Sequence, residues 1–173
     1  MMAVQIEEKH LSDLRDWFSR YVGRFQTDDA EFRHALDLKK AHAARVCQEI
    51  VSLGAALGLN DNELRLAEIA ALFHDVGRFE QFARYGTFVD YKSENHAHLG
   101  VDIIHRHGVL NRLDPEAREI VVKSIGYHNA AALPGSEKAA CLFFARLLRD
   151  ADKLDIWRVL TDYYRQKGGG RNG

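Results

Sequence analysis

The chain has 173 residues, a length typical of one domain, and 46% of them are hydrophobic and 28% charged. A formal net charge of −1 argues against the basic surface of a nucleic-acid-binding protein. No stretch approaches the ~18 consecutive apolar residues of a membrane-spanning helix, and the beginning (MMAVQIEEKH) does not fit a signal peptide. We therefore expect a cytoplasmic protein with no membrane segment.

Apolar residues recur at helical spacing along most of the chain, and only two prolines interrupt it. Asn60 and Ser93 are predicted N-caps, Asp114 starts a helix before a proline, and Ser136 opens the last helix. Gly77 is expected to stop the third helix. The predicted helices span residues 10–25, 30–57, 60–75, 94–107, 114–127 and 136–166.

No segment shows the alternation of a strand, and no linker or repeat divides the chain. The sequence therefore predicts an all-α, single-domain helical bundle. We expect an N-terminal helix within 1–28, which packs on the domain or on a partner, the main domain at 29–166, and a glycine-rich flexible tail at 167–173. The aromatic stretch 79–91 is expected mainly to pack in the core, with a roof over a pocket as the alternative.

Four residues suggest chemistry when they are taken together. His74 and Asp75 stand side by side at the end of an apolar helix, where a carboxylate is costly unless it is paired or binds a cation. His42 lies on the apolar stripe of the second helix, and Asp152 lies on the last one. Each alone has an ordinary explanation, such as a hydrogen-bonded core histidine or a solvated helix face.

Their order and context carry a family resemblance. The segments LFHDVGRF and RDADKLD, with His42 ahead of them, resemble the HD superfamily of metal-dependent phosphohydrolases over about residues 38–160. That superfamily is all helical, so the resemblance implies an HD-domain bundle with a metal site between its helices.

In the two-metal branches of this superfamily, a His-x-x-x-Gly segment and a later histidine add ligands. Here these resemble HAHLG, from His96 to Gly100, and His128. His98 also competes for the first position, but helix geometry favours His96. Its helical face is apolar, with Leu99, Gly100, Ile103 and Ile104, whereas His98 shares a polar face with Asp102 and His105.

The resemblance implies two divalent ions and a bridging role for Asp75. Besides Asp75, three residues would hold the first ion and two residues would hold the second. The implied ligands are His42, His74 and Asp152 for the first ion, His96 and His128 for the second, and Asp75 for both. Iron or manganese suits this donor set best, with Mg, Zn, Ni or Co also allowed.

The implied activity is hydrolysis of a phosphate monoester or diester, a nucleotide or another small phosphate, by metal-activated water. Asp75 and Arg78 would act in catalysis. Arg78 stands at the HDxGR position that faces substrate phosphate in the family, and we expect Lys153 and Asn129 to contact substrate as well.

Several alternatives stay open on sequence alone. The same ligand set serves HD-type di-iron oxygenases such as inositol oxygenase. A single-metal nucleotide monophosphatase would use four of the ligands and leave His96 and His128 to substrate, and a scaffold with a vestigial site is a further option. The stretch GYHNAAALPG lacks a Gly-Tyr-Pro run, which disfavours cyclic dinucleotide hydrolysis. The oligomeric state and the substrate remain open.

Overall fold

The structure, a computed structural model, describes residues 5–25 and 27–168. These residues form seven α-helices, one short 3-10 helix and no strand, which confirms the predicted all-α class. The helices are α1 (Glu8–Gly23), α2 (Ala30–Ala56), α3 (Asp61–Phe73), α4 (Gly77–Tyr85), the 3-10 helix (Asp90–Lys92), α5 (His96–Arg106), α6 (Pro115–Tyr127) and α7 (Ala139–Gly168). None of the described helices is both long enough and apolar enough to span a bilayer.

Helix α3 is the centre of the bundle. It packs against α1, α2, α6 and α7, and its second half, from Leu66 to Phe73, is buried except for the partly exposed Glu68. A helix that is apolar on nearly all sides is stable only when other helices surround it. Because His74 and Asp75 follow directly, this burial carries both into the interior of the molecule.

Helix α1 packs on the domain itself, which is one of the two arrangements expected for it, the other being contact with a partner. Its apolar stripe is buried, and Trp17 and Phe18 contact the ring of Phe73 with centroid separations of 5.8 and 6.0 Å. Burying a large side chain of this kind stabilises a fold by about 1.5–3 kcal/mol. The helix is therefore part of the core.

Two of the predicted N-caps are confirmed and one is wrong. Asn60 forms a complete capping box, and the Asp114 side chain accepts hydrogen bonds from the backbone amides of Glu116 and Ala117, just after the proline. Asn95, and not Ser93, caps α5, because its side-chain oxygen accepts from the first free amides of that helix. The Ser93 hydroxyl instead donates to the Val89 carbonyl, at the end of the 3-10 helix.

Gly77 begins α4 and does not end the preceding helix, which corrects the predicted stop. A Cβ atom at Gly77 would lie 2.1 Å from the His96 carbonyl oxygen and 2.7 Å from the Gly100 nitrogen. The glycine is therefore needed because the backbones of α4 and α5 nearly touch. Gly100 lies opposite it, where a Cβ atom would be 3.4 Å from the Gly77 nitrogen.

The last helix and the aromatic stretch differ in detail from the predictions. Helix α7 begins at Ala139, three residues after the predicted Ser136. Residues 167 and 168 belong to it and 169–173 lie outside the described residues, so the flexible tail stays a prediction. The aromatic stretch forms α4 and the 3-10 helix, where Phe79 is buried and Tyr91 is exposed.

Candidate metal centre

Three ligand-type side chains meet where α2, α7 and the end of α3 converge. His42 Nε2 lies 3.0 Å from Asp152 Oδ1 and 3.2 Å from His74 Nε2. His74 Nε2 is 3.7 Å from the same Asp152 oxygen. These three atoms are mutually close enough to bind one ion.

A second group forms where the start of α5 meets the end of α6. His96 Nε2 and His128 Nε2 are 2.9 Å apart, and they lie 3.3 and 3.7 Å from Asp75 Oδ1. His128 also closes a second triad with His74 and Asp75, whose ligand atoms lie within 4.8 Å of one another. The buried His96 faces this group and His98 is exposed, in agreement with the helix-face argument.

Asp75 lies between the two groups and turns one oxygen toward each. Its Oδ2 is 3.7 Å from His42 Nε2 and 3.8 Å from His74 Nε2, while its Oδ1 faces His96 and His128. This is the orientation that a carboxylate needs in order to join two neighbouring cations. The structure therefore brings together all six of the residues that the family resemblance named as ligands.

Two of the four imidazoles are oriented by the helices that they end. His74 is the C-cap of α3, and its Nδ1 donates to the Ala71 carbonyl at 2.7 Å. His128 is the C-cap of α6, and its Nδ1 donates to the Ile125 carbonyl at 2.7 Å. Each ring thus donates a hydrogen bond to a carbonyl in the last turn of its own helix, where intrahelical partners run out.

The other two imidazoles are oriented by carboxylates. His42 Nδ1 lies 2.8 Å from Asp155 Oδ2, and His96 Nδ1 lies 2.7 Å from Asp90 Oδ2. Because an ionised carboxylate only accepts, both Nδ1 atoms carry the proton. Such carboxylate–histidine pairs are the usual outer support of metal-binding imidazoles.

It follows that all four rings turn Nε2 toward the centre. Burial lowers the pKa of His74 and of His96 to about 4, so at neutral pH both rings present an Nε2 lone pair. Burial alone would raise the pKa of Asp75, but His74 and the Lys39 ammonium hold it well below its ordinary value. For His42, burial opposes protonation, yet hydrogen bonding to Asp152 and the Asp75 charge leave its pKa raised.

This donor set fits divalent cations. Facing lone pairs repel each other unless a proton or a cation lies between them, and the carboxylates add negative charge. Two nitrogens each ~2.1 Å from a shared ion, at right angles, would lie about 3 Å apart. The distances of 3.2 Å for His42–His74 and 2.9 Å for His96–His128 match that value.

Neither of the two supporting carboxylates was predicted from the sequence. Asp155 is fully buried, and besides His42 it accepts from Arg45 at 2.6 and 2.9 Å. A signal for it was present, because it lies three residues after Asp152 and so on the same helix face. Asp90 had no such signal, because the irregular stretch before α5 brings it to His96.

Lys39 is a further residue that was missed. It lies three residues before His42 on the same face of α2, and its Nζ donates to Asp75 Oδ2 at 2.8 Å. The ammonium also lies 5.4 Å from the centre of the Phe88 ring. Lys39 is therefore the lysine that contacts Asp75 among the described residues.

Arg78 lies beside the site, but hydrogen bonds within the protein hold its guanidinium. Its Nη1 donates to the Phe88 carbonyl, to Gln81 Oε1 at 2.9 Å and to Asp90 Oδ1 at 2.8 Å. Its Nε lies 3.5 Å from Asp75 Oδ1. The side chain therefore also braces the loop that supplies Asp90.

The two remaining predicted substrate contacts differ in position. Asn129 Nδ2 lies 3.2 Å from Asp90 Oδ2, at the edge of the His96–His128 group. Lys153 is exposed and is not among the residues that line the cleft over the site. The helical turn that points Asp152 inward directs the next residue of α7 away from it.

A cleft of about 700 Å³ opens over the site between α2 and α7. His42, Asp75 and Asp152 reach its base, together with Lys39 and Arg78. Pockets of this size are typical of small-molecule sites. The base is polar and charged, whereas the walls that rise from it are mostly apolar.

The geometry agrees with a comparison to known families. The HD domain matches residues 40–157, more than half of the chain, a range that begins just before His42 and ends after Asp155. No curated protein and no solved structure matches the chain. Domains of this family bind divalent metals. The chain belongs to the HD domain family.

Proposed function

We propose that this protein is a metal-dependent phosphohydrolase that uses two divalent ions to cleave a small phosphate ester. The observation that carries the proposal is the position of Asp75, whose two oxygens face two separate groups of imidazole nitrogens. A single-ion site would need only one of these groups. The pairing of His96 with His128 at Asp75 Oδ1 therefore favours the two-metal arrangement.

The residues would divide between the ions as the family resemblance implies. His42, His74 and Asp152 would hold one ion, His96 and His128 the other, and Asp75 would bind both. Bound in this way, paired ions acidify water to give a nucleophile and neutralise the charge that develops on phosphate oxygens. Iron or manganese is the proposed metal, because imidazole and carboxylate ligands suit both.

The side chains around the ions would receive the phosphate. Lys39 lies at the base of the cleft with its ammonium next to Asp75, so it can reach a phosphate oxygen that approaches from the cleft. Arg78 holds the Asp90 loop, which in turn orients His96, and adds positive charge beside Asp75. We assign Asp75 to catalysis, with Arg78 and Asn129 as supporting contacts. A role for Lys153 would require its exposed side chain to bend back toward the cleft.

An activity screen tests the proposal. The protein, loaded with manganese or with iron under anaerobic conditions, is assayed against phosphomonoesters and phosphodiesters. We expect hydrolysis of at least one class, its loss in Asp75→Asn, and its retention in His98→Ala. Two bound ions without hydrolysis of any ester would contradict the proposal. Oxygen uptake with a polyol would then indicate the oxygenase chemistry of related di-iron sites.

The cellular setting is also part of the proposal. Both cysteines, Cys47 and Cys141, are free thiols, as expected for a protein of a reducing compartment. We propose a cytoplasmic location on this basis.

A further inference from the structure

The cleft over the site combines a charged base with mostly apolar walls. One wall is the first half of α2 and the other is the middle of α7, and the two helices meet at the contact between His42 and Asp155. The apolar side chains on these walls are Ala35, Leu38, Ile156, Val159 and Leu160.

The apolar side chains on these walls are partly exposed to solvent, unlike those of the core. Leu38 is 57% exposed, and Ile156 and Leu160 are 43% and 48% exposed. Single exposed apolar residues are ordinary, but here they line one cleft that leads to a polar site. A ligand that fills the cleft would remove this surface from water.

The polar groups on the walls are few. Arg45 and Asp155 also line the cleft but pair with each other, which leaves Glu31 and His34 as the remaining polar side chains among the described lining residues outside the charged base. Glu31 lies about three turns, or ~16 Å, from His42 along α2. A nucleoside would bring several donors and acceptors against these walls and leave them without partners, which is costly. A hydrocarbon group meets no such cost.

The cleft is the side from which a substrate can reach the candidate metal ligands. Of the six candidate ligands, His42, Asp75 and Asp152 reach the cleft, and His74, His96 and His128 are not among its lining residues. A phosphate that approaches the ions therefore enters through the cleft, and the rest of the substrate must lie along the walls.

We infer that the substrate is the phosphate ester of an apolar alcohol, whose hydrocarbon group lies between Leu38 on α2 and Val159 and Leu160 on α7. This inference rests on the proposed phosphohydrolase function. Each methylene that enters the cleft leaves water on one side at least. A fully buried methylene is worth about a fourfold change in binding, so a half-covered one should give about twofold.

The test is a series of ethyl, butyl, hexyl and octyl phosphate, below micellar concentrations, with AMP as the polar comparison. We expect kcat/KM to rise about twofold per methylene and to exceed that for AMP with the longer esters. In Leu38→Ser the ratio of octyl to ethyl phosphate should fall about threefold or more. Leu57→Ser is the matched control, because Leu57 is a leucine at the other end of α2, outside the cleft, and is 63% exposed.

Binding of ethyl- and octylphosphonate, measured by calorimetry on the metal-loaded protein, separates this inference from the proposed activity. Tighter binding of octylphosphonate that Leu38→Ser weakens would support the cleft assignment even if no ester were hydrolysed. Equal binding of the two phosphonates, or hydrolysis that prefers AMP, would overturn the inference while leaving the activity intact. A dimer that Leu38→Ser dissociates in sedimentation would also overturn it, because a second copy would then cover the walls.

Discussion

At the residue scale, the hydrogen bond at Nδ1 decides what each imidazole of the site can do. Carbonyl oxygens at two helix ends accept from His74 and His128, and two carboxylates accept from His42 and His96. Because every Nδ1 is used in this way, every Nε2 is left for the centre. The fold thus decides which nitrogen of each ring faces the centre.

Replacing His96 by alanine should remove one ion and leave the other. His96 and His128 face only one of the two Asp75 oxygens, so the group around His42 and His74 keeps its ligands. We expect metal content to fall from about two ions per chain to about one, measured by elemental analysis. His98→Ala, two residues away on the exposed face of α5, should leave the content unchanged. An unchanged ratio in His96→Ala would exclude a second ion held by this residue.

Lys39 should have opposite effects on metal and on substrate. Its ammonium contacts Asp75 Oδ2 at 2.8 Å and so repels a cation at that oxygen. Lys39→Gln is therefore expected to tighten metal binding several-fold in a competition titration with a chelator, while kcat/KM for a phosphate ester falls. Lys40→Gln is the control, because the neighbouring Lys40 pairs with Asp37 and does not line the cleft. Weaker metal binding in Lys39→Gln would show that the lysine supports the site in some other way.

At the element scale, the close approach of α4 and α5 positions the second group of ligands. Gly77 begins α4 two residues after Asp75, and a Cβ atom built on it would point at the backbone of His96. This contact sets the distance between Asp75 and His96. It also holds Arg78 against the Asp90 loop.

Replacing Gly77 by alanine should therefore move α4 away from α5. The added Cβ would lie 2.1 Å from the His96 carbonyl oxygen, and neither backbone can yield without a shift. We expect the free energy of unfolding to fall by about 1–3 kcal/mol, the usual cost of overpacking, together with loss of one ion. Gly23→Ala is the control, because its Cβ would have no neighbour within 4 Å and alanine in a helix is favoured by about 0.5–1 kcal/mol. A Gly77→Ala protein as stable as wild type would refute the tight crossing.

The sequence predicted those parts of the site that follow from periodicity. Helix bounds, the capping box at Asn60 and the choice of His96 over His98 all depend on which residues share a helical face. The family resemblance supplied the remaining ligands. Residues placed by irregular backbone were out of reach, and Asp90 is the clearest case. Lys153 was proposed because it adjoins Asp152 in sequence, whereas Lys39, one turn from His42, is the lysine that contacts Asp75.

At the scale of the whole molecule, a buried carboxylate beside the site also holds two helices of the bundle together. Asp155 on α7 connects His42 and Arg45 of α2, so it links the two helices that form the cleft. Burial opposes its ionisation, but hydrogen bonds from Arg45, His42 and Arg158 lower the pKa of Asp155 to about 2. The same carboxylate thus orients a ligand and closes the base of the cleft.

Acid should weaken the folded state through Asp155. Its pKa is about 2 in the folded protein and 3.8 in its reference state, so the unfolded chain takes up the proton first as pH falls. The stability from this group is therefore present above about pH 4 and is lost toward pH 2. We expect the advantage of metal-free wild type over Asp155→Asn in urea unfolding to shrink between pH 5 and pH 2. A difference that stays constant over this range would show that Asp155 is not ionised in the folded state.

Elemental analysis of protein purified without chelator, for wild type and for Asp75→Ala, tests the two-ion site most directly. A two-ion site predicts close to two iron or manganese ions per wild-type chain. It also predicts a large loss of both in Asp75→Ala, because that carboxylate faces both groups of imidazoles. Wild-type protein that binds no divalent metal, even when metal is supplied in excess, would contradict the central claim.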